Sequence, residues 1–211
     1  MMKKFVLLAL LACVCVLPMH AATIVSNALT TNSTANPTVD LTTLGSVNPS
    51  WFNISGADWI SIANTGNPTS TGFVVEPNGT AVTFTDTFSL LSLPTTATLS
   101  VLADDTTSVV VDGITVWNAT SGPFPTCSTP IIGCLSTSEG IFNVVSDLHT
   151  GSNTIAFQTI QGNLSSYGVD FALTYVTPTA TPEPGALLML GSGLIGLIGL
   201  GGLRRRSMIG F

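Results

Sequence analysis

Three aspartates form the densest acidic group of the sequence. Asp104 and Asp105 are adjacent, and Asp112 follows in an Asp-Gly pair. Carboxylate and carbonyl oxygens in the loops of a β-domain are ligands that Ca²⁺ prefers. Turn formation is the competing interpretation, because aspartate side chains bond their own backbone in turns. The spacing is not that of an EF-hand, so a calcium site at Asp104, Asp105 and Asp112 is a hypothesis, and the sequence indicates no other cofactor.

Catalytic chemistry has weaker support in the sequence. His149 lies near Asp147 and many serines, but the chain has no G-x-S-x-G nucleophile elbow. Glycoside hydrolysis needs two carboxylates about 5–10 Å apart across a cleft, and no motif pairs the acidic residues in that way. We interpret His149 as a surface turn residue. The sequence therefore predicts a protein that is not an enzyme.

Four aromatic residues could stack on sugar rings, since each combines an apolar ring with a polar group. Trp59 and Trp117 lie in strand-like patterns, which favours burial in the core over sugar contact. Trp51 precedes the first of them by a few residues. Tyr167 lies in the polar stretch 162–168, which is typical of a loop. We take Tyr167, Trp117 and Trp59 as candidate ligand-binding residues, with core packing as the alternative.

Cys127 and Cys134 lie close together in a Pro/Gly-rich segment. In an oxidising compartment such a pair is typical of a disulfide, which would contribute about 2–3 kcal/mol in the chain-entropy model. A metal site would need more ligands than His149 could add. We predict a Cys127–Cys134 disulfide.

The elements that must position these residues are strands. Residues 82–88 alternate with period two, which predicts that Val82, Phe84 and Phe88 face the core. Asp112-Gly113 predicts a tight turn between two strands. No convincing helix precedes the C-terminal apolar run, and the other predicted strands are 97–102, 108–111, 114–117, 141–145, 154–159 and 169–176. Short strands at this spacing predict an all-β, antiparallel β-sandwich of the jelly-roll type over residues 22–176.

Charge is distributed unusually along the chain. All five cations lie at the ends, at Lys3, Lys4 and Arg204 to Arg206. Of the eleven acidic residues, Glu183 lies in the C-terminal motif, which leaves ten in the middle. Without lysine or arginine the middle segment cannot neutralise phosphates, so nucleic-acid binding is excluded there. Attraction to an anionic lipid surface is excluded for the same reason.

The N-terminus predicts an export signal over residues 1–21. Lys3 and Lys4 precede the apolar stretch 5–17, and Met19-His20-Ala21 offers a cleavage site after Ala21 or Ala22. A lipidated Cys13 is the alternative, because residues 10–13 form a loose lipobox.

The C-terminus predicts a membrane segment. Residues 177–184 form a linker with Pro182-Glu183-Pro184, and an uncharged apolar run follows at 185–203. A helix of that length spans about 28 Å, close to the thickness of the hydrocarbon core. Arg204, Arg205 and Arg206 then place the tail, 204–211, in the cytoplasm and the domain outside. A permanent anchor is one interpretation of this arrangement.

The order of Pro-Glu-Pro, apolar run and arginine cluster resembles the PEP-CTERM sorting signal of Gram-negative bacteria. The resemblance covers about residues 180–208 and implies cleavage near Pro182–Pro184 by an exosortase of the inner membrane. It implies nothing about the fold upstream.

A second resemblance covers about residues 50–176. The segments Ala103-Asp-Asp105, Val109-Val-Val-Asp-Gly113 and Leu148-His-Thr-Gly-Ser-Asn-Thr-Ile155 are similar to those of galactose-binding-domain-like jelly rolls. That group includes sugar-binding, adhesive and structural domains, so the resemblance implies a fold and not a ligand.

Together these observations predict an exported, non-catalytic β-sandwich protein. Its partners would be signal peptidase and an exosortase during transient residence in the inner membrane, and then extracellular polysaccharide. Its destination would be the cell surface or matrix, with a structural, adhesive or carbohydrate-contacting role in a biofilm. A secreted polysaccharide-acting enzyme is the alternative function.

Overall fold

Eleven strands lie among residues 19–119 and 132–178, which are, together with Ser192, the part of the chain that our computed structural model describes. Residues His20–Pro178 form one compact unit. The second unit, Met1–Met19 with Thr179–Phe211, falls almost entirely outside the described residues.

The described strands form two antiparallel sheets, as the alternating sequence predicts. The first sheet has six strands, in the order β3 (Val39–Asp40), β4 (Ile60–Ser61), β11 (Gly168–Pro178), β6 (Thr96–Asp104), β9 (Gly140–Asn143), with β1 (Met19–Val25) also beside β11. The second has five, in the order β2 (Thr31–Asn32), β5 (Ala81–Leu90), β10 (Gly151–Ile160), β7 (Thr106–Val111), β8 (Ile114–Trp117). From β5 to β11 the chain alternates between the sheets, except at the β7–β8 hairpin, as in a jelly roll.

The core lies between the two sheets. Val82, Phe84 and Phe88 of β5 are buried, so the predicted inward face is confirmed. Phe157 of β10 stacks on Phe171 of β11 across the interior, with ring centroids 4.2 Å apart. Burial of apolar side chains from both inner faces is what holds such sheets together. The predicted β-sandwich is therefore confirmed.

The predicted turn between β7 and β8 is confirmed as well. Asp112 and Gly113 have φ values of 47° and 80°, and Val111 pairs directly with Ile114. Two consecutive positive φ values define the turn that suits the right-handed twist of a hairpin. Aspartate and glycine tolerate that conformation better than branched residues do.

One short helix was not expected from the sequence. Helix α1 (Leu41–Leu44) begins after Asp40, whose carboxylate accepts a 2.8 Å hydrogen bond from the Thr43 amide, and it ends at Gly45 with φ of 70°. A four-residue helix is too short to show a 3.6-residue period, so only its capping residues could have indicated it. Two 3₁₀ turns, at Ser136–Ser138 and Val145–Asp147, are equally short.

Strand β1 also departs from the predicted organisation, because it includes residues 19–21 of the predicted export signal. The expected cleavage after Ala21 or Ala22 would fall inside this strand. The Ser26 amide donates to the Phe171 carbonyl at 3.0 Å. Phe171 lies only three residues after the start of β11, so the other residues of β1 pair with the rest of β11. The C-terminal end of β1 therefore lies beside Phe171, and its N-terminal end lies near Pro178.

The strand registers define two ends of the sandwich. At the first end Asp104 pairs with Gly168 and Ala81 pairs with Ile160; we call it the acidic end, and it includes Asp104, Asp105 and the loop 161–167. At the other end Thr96 pairs with Val176 and Leu90 pairs with Gly151; we call it the terminal end, and it includes the loop 91–95, Asp112, His149 and Pro178. The nine residues of β6 separate the two ends by about 30 Å.

Several predicted segments lie outside the described residues. These are the export signal up to residue 18, Cys127, the Pro182–Pro184 motif, Arg204 to Arg206, and residues 185–203 apart from Ser192. Within the part that is described, no helix has the length and hydrophobicity needed to cross a bilayer.

Candidate functional site

The acidic end is built around two adjacent buried carboxyl groups. Asp104 closes β6 and Asp105 follows it, and their exposed fractions are 4% and 0%. Their side chains hydrogen-bond to each other. The indole nitrogen of Trp51 donates to Asp104 Oδ2 at 2.8 Å. The pair is therefore enclosed by protein and linked to an aromatic neighbour.

The loop between β10 and β11 is anchored to Asp105. The Gly162 amide donates to Asp105 Oδ2 at 2.6 Å, and Asn163 Nδ2 donates to Asp105 Oδ1. The carboxamide of Gln161 also accepts from the Gly162 amide, at 3.0 Å, and donates to the Ser165 carbonyl. Charge-assisted bonds of this kind fix a loop more firmly than neutral ones.

Trp51 and Trp59 pack together behind the acidic pair. Their ring centroids are 4.0 Å apart, and both side chains are buried. Gly168 makes this packing feasible, because a Cβ added there would lie 3.1 Å from the Ile60 carbonyl oxygen and 3.3 Å from Trp51. The indole nitrogen of Trp59 donates to the Phe52 carbonyl at 2.9 Å.

Burial dominates the electrostatics of the carboxyl groups near this end. It raises the pKa of Asp104 to about 8, and the Asp105 carboxylate raises it further by accepting the Asp104 proton in a hydrogen bond and by its negative charge, while the Trp51 hydrogen bond lowers it. Burial also raises the pKa of Asp105, against the hydrogen bonds from Asp104, Gly162 and Asn163 that lower it. Removal from water disfavours a charge that no neighbouring cation compensates. At neutral pH the pair therefore retains a proton.

Asp170 on β11 is a third buried carboxyl group. Its Oδ2 accepts from the Ile54 amide at 2.9 Å, and Ser26 Oγ lies 3.2 Å from its Oδ1. Burial raises the pKa of Asp170 to about 7, while the Ile54 and Ser26 hydrogen bonds lower it. This side chain ties β11 to the segments that follow β1 and precede β4, which is a structural role.

The predicted three-aspartate calcium site is not assembled. Asp105 precedes β7 and Asp112 follows it, so the six residues of the strand separate them by about 20 Å. No group of three or more His, Cys, Asp or Glu side chains that could hold a metal ion is found within the described ranges. The hypothesis treated sequence proximity as spatial proximity, which an extended strand does not provide.

Two of the three candidate sugar-stacking residues are in the core. Trp59 and Tyr167 are both fully buried, and the Tyr167 hydroxyl donates to the Thr159 carbonyl at 2.9 Å. Burial raises the pKa of Tyr167. Neither ring face is open to a ligand, so the core alternative is correct for both residues. Trp117 is half-buried on β8, with its ring centroid 6.2 Å from that of Phe142.

At the terminal end, Asp112 meets His149. Asp112 Oδ2 lies 3.0 Å from His149 Nδ1, and the histidine side chain is 59% exposed. Asp112 Oδ1 accepts from the Thr154 amide at 2.6 Å, and Asn153 Oδ1 accepts from the His149 amide. A carboxylate on Nδ1 orients an imidazole and leaves Nε2 available to solvent.

The solvent-facing rim of the acidic end carries two amide side chains, and an exposed aromatic residue follows Trp51 in the chain. Asn163 and Asn78 are exposed, and Asn78 Oδ1 accepts from the Leu164 amide at 2.8 Å. Phe52 is 44% exposed, and its amide donates to the Cys134 carbonyl at 2.8 Å. Fixed amide groups and exposed aromatic rings are the elements from which sugar-contacting surfaces are made.

Sequence reasoning did not identify this rim. Phe52 and Trp51 are neighbours in the chain, but Trp51 is buried and Phe52 is exposed. The sequence does not show which of two adjacent aromatic residues faces solvent. The Asp105 contacts with the 161–163 loop join residues 57 and 58 positions apart. The Asp-Gly turn and the Gly-Ser-Asn segment were visible in the sequence, but nothing indicated that they bring Asp112 to His149.

Only one cysteine of the predicted disulfide lies among the described residues. Cys134 is fully buried, whereas Cys127 lies outside the described residues. The pairing of the two stays a prediction.

Comparison with known proteins gives weak likenesses. No protein-family model and no curated protein sequence matches the chain. A family 35 carbohydrate-binding module from Clostridium thermocellum is similar over 72% of this chain and 97% of its own length, with 13% identity and a TM-score of 0.39. An α-L-rhamnosidase from Streptomyces avermitilis is similar over 52% of this chain, with 20% identity and a TM-score of 0.37.

An exo-β-1,3-galactanase from Phanerochaete chrysosporium is similar over 75% of this chain, with 13% identity and a TM-score of 0.36. The chain spans only 11% of the length of the rhamnosidase and 29% of that of the galactanase. Likenesses of this strength assign neither a family nor a function to the chain.

Proposed function

We propose that this chain is an exported protein whose β-sandwich is a non-catalytic module that contacts extracellular polysaccharide through the rim of its acidic end. The observation that carries the proposal is the fixed rim itself. Asn163 is held by Asp105, and the amide of its neighbour Leu164 is held by Asn78. Phe52, which follows the Asp104-bonded Trp51 in the chain, is 44% exposed.

Preorganisation and charge both support a polysaccharide partner. Rigid polar groups lose little conformational entropy when they bind a ligand. The domain has no lysine or arginine, so it lacks the side chains that attract anionic partners. A neutral polyhydroxylated chain suits a surface whose exposed polar groups are uncharged amides.

A glycan array probed with the purified chain tests the proposal. We expect binding to a defined polysaccharide class that falls at least about tenfold for Phe52→Ala, as for loss of one packed aromatic contact. Leu29→Ala is the matched control, because Leu29 is 86% exposed in the loop after β1. Absence of binding to every glycan would reject the carbohydrate role and favour a structural one in the matrix.

Sorting is a separate part of the proposal. The Pro182–Pro184 motif, the apolar run 185–203 and the arginine cluster support an exosortase substrate that resides transiently in the inner membrane. Intact-mass measurement of the chain from cells with and without an exosortase tests it. We expect the mature form to lack Arg204, Arg205 and Arg206 only when the exosortase is present; a mature chain that retains them is permanently anchored.

The rival function, a secreted polysaccharide-acting enzyme, has one observation in its favour. The Asp112–His149 pair has the form of an oriented general base. The Asp104–Asp105 pair does not support hydrolysis, because both carboxyl groups are buried. Turnover of a polysaccharide panel that is abolished by His149→Gln would establish the rival function.

A further inference from the structure

Two leucines project from the terminal end of the sandwich. Leu91 is 101% exposed and Leu93 is 57% exposed in the loop between β5 and β6. Their neighbours Leu90 and Pro94 are buried, which fixes the base of the loop. Exposed leucines that alternate with buried neighbours on a short anchored loop form a small, defined apolar surface.

This loop is bonded to the last residues of β11. Ser92 Oγ donates to the Pro178 carbonyl at 3.3 Å, and the Thr95 amide donates to the Val176 carbonyl at 2.7 Å. The N-terminal end of β1 also lies near Pro178, because β1 ends beside Phe171. The two leucines therefore lie where the chain leaves the domain toward both of its apolar segments.

The length of chain beyond Pro178 limits the distance to the bilayer. Six residues, 179–184, separate Pro178 from the apolar run at 185–203. Six extended residues reach at most about 20 Å, which is less than the length of β6. If the apolar run crosses a bilayer, Pro178 and the terminal end therefore lie within about 20 Å of it.

We propose that Leu91 and Leu93 form a lipid-contacting surface that docks the domain on the outer face of the bilayer while the chain is anchored. The inference rests on the membrane-resident precursor of the proposed function. Docking places the acidic end away from the membrane, toward extracellular polysaccharide. The contact is apolar, because the loop 91–95 carries no charge and the domain has no lysine or arginine to attract anionic lipid.

The test uses the full chain, reconstituted in phosphatidylcholine vesicles. Leu91→Cys and, separately, Leu44→Cys are labelled with an environment-sensitive fluorophore, and the unsubstituted chain gives the background. Leu44 is the matched control, because it is a 52% exposed leucine in α1, which lies beside β4 at the height of the acidic end. Lipids with a nitroxide near the top of the acyl chain serve as quencher.

We expect at least threefold stronger quenching at position 91 than at position 44, with blue-shifted emission at position 91 only. Equal quenching at both positions in chains that float with the vesicles overturns the docking surface and leaves the anchor intact. A blue shift without lipid quenching that grows with protein density identifies a second copy of the chain as the occupant, and it also overturns the inference. Chains that fail to float overturn the anchor together with the inference.

Discussion

The two ends of the sandwich use carboxylates in opposite ways. At the acidic end, Asp104 and Asp105 are removed from water, share a hydrogen bond and hold Trp51 and the 161–163 loop. At the terminal end, Asp112 lies in the turn between β7 and β8 and faces the exposed His149. In a domain without lysine or arginine, a buried carboxyl group is stabilised by hydrogen-bond donors and by retaining its proton.

This difference indicates where rigidity and adaptability lie. The acidic end is closed by buried polar bonds and two packed indoles, so its rim is fixed before any ligand arrives. The terminal end contains an exposed histidine beside Asp112 and two exposed leucines, whose contacts with solvent or lipid can change at low cost. Four measurements sharpen or break this contrast, from the largest expected effect to the smallest.

The first measurement removes the packing of the acidic end. Trp59→Ala deletes a fully buried indole and should lower the free energy of unfolding by about 3–5 kcal/mol, as for other large core truncations. Denaturant unfolding measures the change. Leu91→Ala, at a fully exposed site of the terminal end, should stay within about 0.5 kcal/mol of the parent. Similar losses for the two variants would contradict the contrast.

The second measurement uses pH. The pKa values of Asp104 and Asp170 are raised to about 8 and about 7 in the folded protein, so the folded state keeps protons that the unfolded chain loses above pH of about 4. Their contribution to stability is therefore fully present below pH of about 4 and is lost as pH rises toward 8. The loss should be several kcal/mol, at about 1.4 kcal/mol per unit of raised pKa, measured by unfolding at each pH.

Asp170→Asn tests whether Asp170 is one source of this change of stability with pH. An asparagine can donate to Ser26 Oγ and accept from the Ile54 amide, so it reproduces the neutral form of the acid. The variant should be less sensitive to pH between 5 and 8. Asp147→Asn is the control, since Asp147 lies in a short surface turn. A slope unchanged by Asp170→Asn would show that the pH dependence has another origin.

The third measurement opens the 161–163 loop. Asp105→Ala leaves the buried Gly162 amide without its carboxylate acceptor and frees Asn163, which should cost about 2–3 kcal/mol. Asp112→Asn keeps an acceptor for Thr154 at a position that asparagine tolerates, and it should cost about 1 kcal/mol or less. Faster amide exchange at Gly162 in Asp105→Ala, and not in Asp112→Asn, locates the effect.

The fourth measurement concerns the Asp112–His149 contact at the terminal end. His149→Ala removes a largely exposed partner of Asp112 and should lower stability by about 0.5 kcal/mol, an effect that added salt abolishes in acidic buffer, where the imidazole is protonated. Thermal melts at low and high ionic strength measure it. A loss above about 2 kcal/mol would mean that the terminal end is as tightly organised as the acidic end.

Much of the fold could be predicted from local patterns. Strands β5 to β11 were predicted from runs of apolar and β-branched residues, and the predicted segments overlap the observed ones. Strands β2, β3 and β4 have two residues each, too few for any period to emerge. β1 was not predicted as a strand, because its first residues also fit the end of an export signal.

The candidate site could be predicted only in part, because its contacts are long-range. The density of aspartates at 104, 105 and 112 was visible, but the strand between them carries the third to the opposite end of the sandwich. Trp59 and Tyr167 were candidates for ligand contact because ring chemistry is visible in a sequence, whereas burial is not.

The sequence by itself determined the all-β class, the hairpin at Asp112-Gly113 and the absence of cations between the two terminal segments, because these depend on local pattern and on composition. The tertiary structure decided which carboxyl groups are buried, which aromatic ring faces solvent and which end of the sandwich carries the exposed leucines. These properties depend on strand order and register, since pairing of distant strands brings together residues that no local pattern connects.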